Sequence, residues 1–336
     1  MHALVWRGPR SMMLEQVDEP KLRSSEAIIR VEAVGICGSE LSGYLGESSI
    51  RKPPLIMGHE FCGRVEDVPP GSRLVRGQRV TVNPLLSCGE CRACRAGAQN
   101  LCARREIIGA HRAGAFANLV AVPVQNCYPV PAEMGPVTAA MTEPLACAVR
   151  AVELAQIAPG DSVLVLGSGT IGLCVLAVAR RAGAGVLACT DTNPARLRTA
   201  LAWGATHVFD GTADAATGAQ ALTGGAGVDV AVDAVGLTVT RQTAVRAARR
   251  GGRVVLVGLH EAESAFPVND IVRNETAITG SFAYRAETFE RAFSLLGAGI
   301  LEAGPWLEER PLEDGPAAFE RLLGGDVSAA KIILAP

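Results

Sequence analysis

Residues 162–172 read Ser-Val-Leu-Val-Leu-Gly-Ser-Gly-Thr-Ile-Gly, and this stretch decides the fold. Apolar residues precede a GxGxxG pattern that is formed by Gly167, Gly169 and Gly172. The apolar segment that follows the pattern predicts a helix over 171–181. A buried strand, a glycine-rich turn and a helix, in this order, are typical of the first unit of a dinucleotide-binding fold.

Each glycine has a separate task in such a turn. Gly167 permits the tight turn, Gly169 lets a pyrophosphate approach the backbone, and Gly172 lets the helix pack closely against the strand. Thr170 and Ile171 open the helix, where free backbone N–H groups bind phosphate. The pattern therefore predicts a dinucleotide site.

An acidic residue further along favours one dinucleotide over the other. Asp191 lies 19 residues after Gly172 at the end of the next apolar run, where a carboxylate binds the ribose hydroxyls. A carboxylate there repels a 2′-phosphate, so the sequence favours NAD over NADP. Arg196 is expected along the adenine edge, although an arginine there can also tolerate NADP. Val257 and Leu259 follow a later strand and are expected to face the nicotinamide.

Predicted strands and helices alternate along this part of the chain. The strands are predicted over 162–166, 185–190, 229–234, 253–258 and 277–282, and the helices over 171–181 and 194–203. This alternation predicts an α/β fold with a doubly wound parallel sheet, which is a Rossmann domain. The region before residue 145 differs and predicts an irregular β-rich domain. Its period-two strands are predicted near 27–34, 79–83 and 117–122.

Composition excludes several classes of protein. The 336 residues include 32 basic and 34 acidic side chains and only 4% aromatic residues. The chain therefore lacks the excess of basic charge and the stacking residues that are typical of nucleic-acid-binding proteins. The uncharged run over 162–179 is long enough to cross a bilayer, but its glycines divide it into a strand and a helix. The N-terminus has no apolar signal-peptide core, and ten cysteines without one favour thiols or metal ligands over disulfides. We therefore expect a cytoplasmic protein with a small-molecule partner and without nucleic-acid or membrane partners.

Four closely spaced cysteines are the strongest single feature of the sequence. This cysteine cluster consists of Cys88, Cys91, Cys94 and Cys102. Its two-residue gaps let a looping backbone point thiolates at one centre, and four thiolates complete a tetrahedral zinc shell. No position stays open, so the cluster predicts a structural zinc site rather than a catalytic one. An iron–sulfur cluster uses similar gaps, but no proline follows Cys102 as it does in ferredoxins.

Five motifs occur together in an informative order. They are Cys37-Gly-Ser-Glu40, Gly58-His-Glu60, the cysteine cluster, Thr142-Glu-Pro-Leu145 and the GxGxxG turn. In order and spacing they resemble the zinc-dependent medium-chain dehydrogenases/reductases of the alcohol dehydrogenase superfamily, in the sorbitol/threonine dehydrogenase-like branch. The resemblance covers essentially the whole chain. It implies a GroES-like catalytic domain of residues 1–144 and 283–336 and a Rossmann NAD-binding domain of residues 145–282. It also implies a homodimer or homotetramer that associates through the edge of the strand predicted over 277–282.

The resemblance further implies a second, catalytic zinc ion. Cys37 and His59 would be its ligands, Glu60 a further ligand that substrate or water can displace, and Glu143 a ligand that binds directly or through a water. Ser39 would take the alcohol proton and pass it toward the cofactor ribose. With two zinc ions per chain and NAD, the implied reaction is hydride transfer between a secondary alcohol and NAD, the zinc polarising the substrate oxygen.

Two positions depart from the family pattern. The usual aspartate after Cys-Gly-Ser is Glu40, whose longer side chain can still hold the local backbone in an altered geometry. The histidine that often ends the proton relay is Ser42, so the relay must finish through water or through another histidine. His260, after a strand end that should face the nicotinamide, is one candidate, and a plain surface histidine is the alternative.

Substrate identity is the property that the sequence determines least. By analogy with the family, the side chains expected near the pocket are Tyr44, His111, Arg112 and Phe116, with Tyr284 as a weaker candidate. Their polar groups favour a hydroxylated substrate, because unpaired donors are costly to bury against an alkyl chain. The leading hypothesis is a polyol, sugar-alcohol or amino-alcohol dehydrogenase. The alternatives are a biosynthetic cyclitol or aminocyclitol dehydrogenase and a non-catalytic, zinc-stabilised nucleotide-binding protein.

Overall fold

The computed structural model describes residues 1–211, 213, 215–301, 304–325 and 329–336, so residues 212, 214, 302, 303 and 326–328 of the predicted domains lie outside it. The strands are β1 (His2–Gly8), β2 (Ser11–Gln16), β3 (Glu26–Gly35), β4 (Leu55–Ile56), β5 (Glu60–Asp67), β6 (Arg79–Val82), β7 (Leu85–Leu86), β8 (Glu106–Ile107), β9 (Leu119–Pro123), β10 (Cys127–Pro129), β11 (Ser162–Leu166), β12 (Val186–Asp191), β13 (His207–Asp210), β14 (Val228–Asp233), β15 (Ala248–Leu256), β16 (Ala277–Gly280), β17 (Leu307–Pro311) and β18 (Lys331–Ala335). The α-helices are α1 (Gly38–Tyr44), α2 (Arg92–Arg95), α3 (Pro136–Ala140), α4 (Thr142–Ala155), α5 (Thr170–Arg181), α6 (Pro194–Ala202), α7 (Ala215–Leu222), α8 (Thr238–Ala247), α9 (Val268–Asn274), α10 (Ala286–Gly297) and α11 (Gly315–Gly324).

Six parallel strands form one sheet in the second half of the chain. Their order is β13-β12-β11-β14-β15-β16, and every neighbouring pair is parallel. The winding reverses between β11 and β14, as it does in dinucleotide-binding sheets of order 3-2-1-4-5-6. The prediction of a doubly wound parallel sheet is therefore confirmed. The edge strand β13 is an addition that the sequence pattern did not indicate.

The central strand β11 is buried on both faces because helices cover both sides of the sheet. Val163 and Val165 belong to a core shared with α4, α5 and α10, whereas Leu164 and Leu166 pack in a second core with α7 and α8. Strands of such sheets read as continuous apolar runs for this reason. The uncharged run over 162–179 is thus β11 followed by α5. In the part of the chain that the structure describes, no helix is long and apolar enough to cross a membrane.

Mostly antiparallel strands form the rest of the molecule. The largest of their sheets has the order β10-β6-β5-β3-β18-β17, with β9 added against β3. The strands predicted over 27–34, 79–83 and 117–122 correspond to β3, β6 and β9. The prediction of an irregular β-rich domain before residue 145 is confirmed.

The end of the chain returns to this first sheet. β18 pairs antiparallel with β3, with Ile333 opposite Gly35 and Leu334 opposite Val34. The C-terminal segment therefore completes the N-terminal sheet. The domain limit expected between residues 144 and 145 falls inside α4, which is continuous over Thr142–Ala155.

Candidate active site and nucleotide site

Three side chains that can bind a metal converge where two neighbouring strands meet. β3 ends at Gly35, which lies opposite Glu60 at the start of β5. Cys37 follows as the N-cap residue of α1, and His59 precedes β5. One ligand atom from each of Cys37, His59 and Glu60 lies within 4.8 Å of the others. We call these three residues the metal cluster, and they are three of the four side chains that the resemblance implies as catalytic-zinc ligands.

The buried Glu40 carboxylate organises the metal cluster. Its Oε2 accepts a hydrogen bond from the backbone N–H of Cys37 at 3.0 Å. Its Oε1 accepts the backbone N–H of Gly58 at 2.8 Å and lies 2.8 Å from Nδ1 of His59. Burial opposes ionisation of Glu40, but His59 and Arg51 hold its pKa below the ordinary value. The longer acid therefore holds the backbone beside both ligand positions.

The donor set of the metal cluster fits a zinc ion. Zinc accepts thiolate, imidazole and carboxylate ligands, and three protein ligands leave a position for water or substrate. A histidine ligand commonly has its other ring nitrogen bonded to a carboxylate, which fixes the ring. Glu40 occupies Nδ1 of His59 in this way, and Nε2 is left for a metal.

A buried lysine contacts the metal cluster from the last strand. Lys331 is 2% exposed and Glu60 1% exposed, and the Nζ of Lys331 donates to Oε2 of Glu60. The same ammonium donates to the carbonyl oxygen of Ile36 at 2.9 Å. Burial lowers the pKa of Lys331, but the negative Glu60 and Cys37 raise it above the ordinary value. One carboxylate oxygen of Glu60 is therefore held by a charged ammonium group.

Glu143 lies beside the metal cluster but outside the 4.8 Å group. It stands in the first turn of α4, and its carboxyl lies close enough to the buried Tyr284 for each group to influence the pKa of the other. Burial raises the pKa of Glu143 to about 7, and the negative Glu60 acts in the same direction. Cys147, one turn later, has its Sγ 4.0 Å from Oε1 of Glu143. Metal ligation by Glu143 stays a prediction.

Ser39 occupies the open side of the metal cluster. The residue is exposed, and its Oγ lies 3.4 Å from Sγ of Cys37. The buried Arg51 donates from Nη1 to the carbonyl oxygen of Ser39 at 3.0 Å and from Nη2 to its Oγ at 3.2 Å. The hydroxyl that the resemblance assigns to proton transfer is therefore held by a guanidinium group.

The histidine considered for the end of the relay lies at the surface. His260 follows β15 and is exposed. Of the five histidines of the chain, His59 is the buried one. The structure favours the surface-histidine alternative for His260.

The other side chains expected near the pocket have different surroundings. Tyr44 and Phe116 are buried in the core of the β-rich domain, where both rings pack against another phenylalanine. Arg112 forms a 2.6 Å ion pair with a buried glutamate of β3, and Nδ1 of His111 accepts the backbone N–H of Ile107 in β8. The weaker candidate, Tyr284, is the one that lies beside Glu143 and the metal cluster.

The four sulfurs of the cysteine cluster surround one centre. The Sγ atoms are 3.5 Å apart for Cys91 and Cys94, 3.5 Å for Cys88 and Cys102, and 3.9 Å for Cys88 and Cys94. Thiolates about 2.3 Å from a tetrahedral zinc lie about 3.8 Å apart, so the spacing fits this ion. Backbone N–H groups of the turn lower the pKa of Cys88 to about 6, and Arg104 adds to this effect.

The glycine turn after β11 leaves room for a phosphate. Gly167 has φ +91°, in the left-handed region that favours glycine. A Cβ at Gly172 would overlap the carbonyl oxygen of Gly167, so α5 packs directly on the turn. Gly169 is the N-cap residue of α5, and a Cβ there would meet no atom within 4 Å. Open space therefore faces the N-terminus of α5.

Asp191 closes the nucleotide site at the end of β12. Its Oδ2 accepts the backbone N–H and the hydroxyl of Ser168 at 2.8 and 2.9 Å, and its Oδ1 accepts the N–H of Asn193 at 2.9 Å. The carboxylate is thereby fixed against the glycine turn. Arg196 lies in α6, and its buried Nε has no hydrogen-bond partner among the described residues.

The loops after β14 and β15 form another wall at the same edge of the sheet. Gly236 and Gly258 approach so closely that a Cβ on either would overlap the other loop. The fully buried Asp233 accepts the backbone N–H of Gly236 at 3.1 Å and so stabilises the first loop. Val257 is half-buried and Leu259 is 75% exposed in the second loop. Both side chains follow β15 at the carboxyl edge of the sheet.

A hydrogen bond joins the nucleotide turn to the C-terminal segment that contacts the metal cluster. The Oγ1 of Thr170, the first residue of α5, donates to the carbonyl oxygen of Ala330 at 2.6 Å. The next residue is Lys331, which pairs with Glu60. The two sites are therefore neighbours in the molecule.

Sequence reasoning missed two cations of this site. Lys331 carried a signal, because it is one of three lysines in the chain and begins an apolar Lys-Ile-Ile-Leu run. A charged residue that is fully buried is almost always paired, so a lysine in such a run indicates a buried ion pair. Arg51 stands in a loop without any pattern, and nothing in the sequence marks it.

Two family descriptions match the chain. The alcohol dehydrogenase GroES-like domain matches residues 23–132, and the zinc-binding dehydrogenase family matches residues 170–298. L-galactonate-5-dehydrogenase of Escherichia coli K12 is 34% identical over 96% of this chain and 95% of its own length. Sorbitol dehydrogenase of Bacillus subtilis 168 is 32% identical over 100% of this chain and 97% of its own length.

A solved structure agrees with these matches over the whole chain. A protein of Sinorhizobium meliloti 1021, described as a zinc-binding dehydrogenase bound to NADP, has a TM-score of 0.91 and 32% identity. The match covers 100% of this chain and 99% of that one. The expected GroES-like and Rossmann folds are confirmed. The chain is an oxidoreductase that belongs to the zinc-dependent medium-chain dehydrogenases/reductases, the superfamily of the alcohol dehydrogenases.

Proposed function

We propose that the chain is a zinc- and NAD-dependent dehydrogenase that oxidises a secondary alcohol of a small polyhydroxylated molecule, or reduces the matching ketone. The observation that carries this proposal is the convergence of Cys37, His59 and Glu60 beside Ser39. A protein that only binds a nucleotide has no use for such a donor set. The two relatives named above carry the names of polyhydroxylated compounds, galactonate and sorbitol.

The residues of the metal cluster would hold the catalytic ion, with Glu143 as a further candidate ligand. When bound, zinc supplies a Lewis acid that lowers the pKa of the substrate hydroxyl, and NAD supplies the hydride acceptor. Ser39 would take the hydroxyl proton and pass its own proton toward the cofactor ribose or, being exposed, to water. The cysteine cluster would hold a second, structural zinc ion, since its sulfurs leave no open position.

Metal analysis and an activity screen test this proposal together. Purified holoenzyme should contain two zinc atoms per chain, and NADH should form with at least one member of a panel of polyols, sugar acids, amino alcohols and cyclitols. His59→Ala should retain one zinc atom and lose NADH formation, whereas the surface control His207→Ala should change neither quantity. A holoenzyme with two zinc atoms that oxidises no member of the panel would overturn the proposal. Activity confined to cyclitols would support the biosynthetic alternative.

NAD is proposed as the cofactor because of the carboxylate of Asp191. It is fixed at the end of β12 against the glycine turn, where it would repel the 2′-phosphate of NADP. We expect kcat/KM to be at least about tenfold higher with NAD, a difference of about 1.4 kcal/mol. Asp191→Ala should narrow this difference, and Asp18→Ala, which removes an exposed aspartate after β2 in the β-rich domain, should leave it unchanged. Equal use of both cofactors by the wild-type protein would contradict this assignment.

A homodimer or homotetramer is proposed to form through the edge of β16. In the described chain β16 pairs with β15 alone, and the nearby α9 exposes Val268 and Val272 by 60% and 69%. Unpaired strand edges and exposed apolar side chains are common at two-fold contacts. Light scattering should give a mass of at least two chains, and Val272→Asp should lower it. None of the ten cysteines forms a disulfide, which supports the proposal of a cytoplasmic location.

A further inference from the structure

We propose that Arg51 is a positioning residue that fixes the hydroxyl of Ser39 for proton transfer, at a site that lacks the usual histidine at position 42. This inference rests on the proposed function, in which Ser39 takes the proton of the substrate hydroxyl. Arg51 belongs to none of the motifs that define the family resemblance.

The guanidinium of Arg51 holds Ser39 at two points. Nη1 donates to the backbone carbonyl oxygen of Ser39 at 3.0 Å, and Nη2 donates to its Oγ at 3.2 Å. The planar fork of an arginine fixes two acceptors in one geometry. Ser39 is exposed, so its hydroxyl would otherwise turn freely among its rotamers. Arg51 therefore selects the orientation in which Oγ lies 3.4 Å from Sγ of Cys37.

The burial of Arg51 is not explained by an ion pair. Arg51 is 7% exposed, and within the part of the chain that the structure describes its Nε has no hydrogen-bond partner. Among the described residues no carboxylate lies within ion-pair distance of it, although its charge helps to lower the pKa of Glu40. Burying an unpaired cation costs free energy. An apolar side chain of similar length would fill the same space without that cost. We therefore attribute the buried charge to the two hydrogen bonds that it donates to Ser39.

A glycine of α1 makes room for this side chain. A Cβ at Gly43 would lie 2.6 Å from Cδ of Arg51 and 3.4 Å from Sδ of Met57. Gly43 is a helical residue without a positive φ, so its backbone conformation does not require glycine. A side chain at this position of the helix would therefore collide with the stem of Arg51.

The proton balance assigns different roles to the two residues. Arginine has no acceptor lone pair, so Arg51 cannot receive the substrate proton. The Oγ of Ser39 accepts from Arg51 with one lone pair and can accept the substrate proton with the other, while its own proton passes to water. NAD, when bound, would accept the hydride and its electron pair from the substrate carbon, so the alcohol would become a ketone. A fixed positive charge beside Oγ stabilises this oxygen as its proton leaves.

The test combines Arg51→Met with Ser39→Ala in the zinc-loaded holoenzyme. We expect Arg51→Met to lower kcat by about ten- to a hundredfold, which is part of the roughly 10²- to 10⁴-fold that positioned proton transfer contributes. The KM for NAD and the zinc content should stay unchanged. In the Ser39→Ala background, Arg51→Met should change kcat by less than about twofold, because it acts through Ser39. Arg30→Met, which removes an exposed arginine paired with Glu66, is the matched control and should change none of these values.

Gly43→Ala gives an independent test that keeps the charge. Its Cβ should displace Arg51 and lower kcat, although alanine replaces glycine inside a helix and favours the helix by about 1 kcal/mol. A crystal structure of Arg51→Met should show the Ser39 hydroxyl moved away from Cys37. An unmoved hydroxyl, or equal effects of Arg51→Met with and without Ser39, would overturn the inference. A wild-type protein without dehydrogenase activity would overturn the proposed function instead, and the crystal structure would still decide whether Arg51 holds Ser39.

Discussion

Replacing Glu40 with glutamine would test whether this carboxylate sets the zinc affinity of the metal cluster. Its oxygens serve three donors: the backbone N–H of Cys37, the backbone N–H of Gly58 and Nδ1 of His59. Glutamine keeps the size of the side chain and one acceptor oxygen, but its NH2 group then faces a donor. With the amide oxygen placed toward Gly58 and His59, the N–H of Cys37 loses its acceptor.

The expected effect follows from these contacts. A hydrogen bond to a charged group contributes about 1.5–3 kcal/mol, and at least one is lost in Glu40→Gln. Removing a carboxylate that orients a histidine ligand weakens metal binding by about 10- to 100-fold. This range corresponds to about 1.4–2.8 kcal/mol, which agrees with the loss of one such bond. We therefore expect the zinc Kd of the metal cluster to rise by about 10- to 100-fold.

Competition with a chelator measures this change. At a chelator concentration that leaves the wild-type protein with two zinc atoms, Glu40→Gln should retain one, held by the cysteine cluster. Glu66→Gln is the matched control, because Glu66 makes a 2.9 Å ion pair with Arg30 at the surface. Its zinc content should equal that of the wild type. A zinc Kd of Glu40→Gln within about twofold of wild type would refute the reasoning, because the three contacts would then not govern the ligands.

Three further predictions concern stability and cofactor binding. Lys331→Met leaves the carboxylate of Glu60 buried without its partner, so the free energy of unfolding measured in urea should fall by about 3–5 kcal/mol. Adding Glu60→Gln should restore part of this free energy. Burial raises the pKa of Asp229, but hydrogen bonds from a serine and an arginine hold it at about 2, below 3.8. The ionised Asp229 therefore contributes about 2 kcal/mol to the free energy of unfolding above about pH 4, and this contribution is lost as the pH falls toward 2. The urea midpoints of Asp229→Asn and the wild type should accordingly differ at neutral pH and converge in acid. Gly172→Ala places a Cβ on the carbonyl oxygen of Gly167 and should weaken NADH binding at least about tenfold, as measured by fluorescence titration. Gly297→Ala is the control, because a Cβ has room there, and it should leave NADH binding unchanged.

The nucleotide-binding fold could be predicted because its signals are local. β11 and α5 form one apolar run that is interrupted only by the glycine turn, and the run is apolar because both faces of the strand are covered. β13 was not predicted, since its four residues are exposed or half-buried at the edge of the sheet and form no apolar run. The helix α4 crosses the expected domain limit, because its apolar face packs against α5 and α10 in one core.

The β-rich domain could be predicted only in part. β3 alternates over many residues, but β4, β7 and β8 have two residues each and depend on their partners for their conformation. The two-residue strands bury too little apolar area to leave a periodic pattern. The rings of Tyr44 and Phe116 were expected near a polar pocket by analogy, whereas the structure uses them as core. Both rings pack against Phe319 of the C-terminal helix α11, a contact that the motifs around them do not specify.

The candidate ligands and their counter-charges differ in how far the sequence can identify them. Cys37, His59 and Glu60 stand in short motifs, because all three must reach one centre from the end of β3 and the start of β5. The two cations beside them have no such constraint. Lys331 reaches Glu60 across 271 residues, and Arg51 reaches Ser39 from a loop 12 residues away. A buried carboxylate such as Glu60 nevertheless needs its cation as much as it needs the motif, since unpaired charges in the interior are costly. The motif thus identifies the atoms that can touch a metal, and the fold determines which charges make their burial possible.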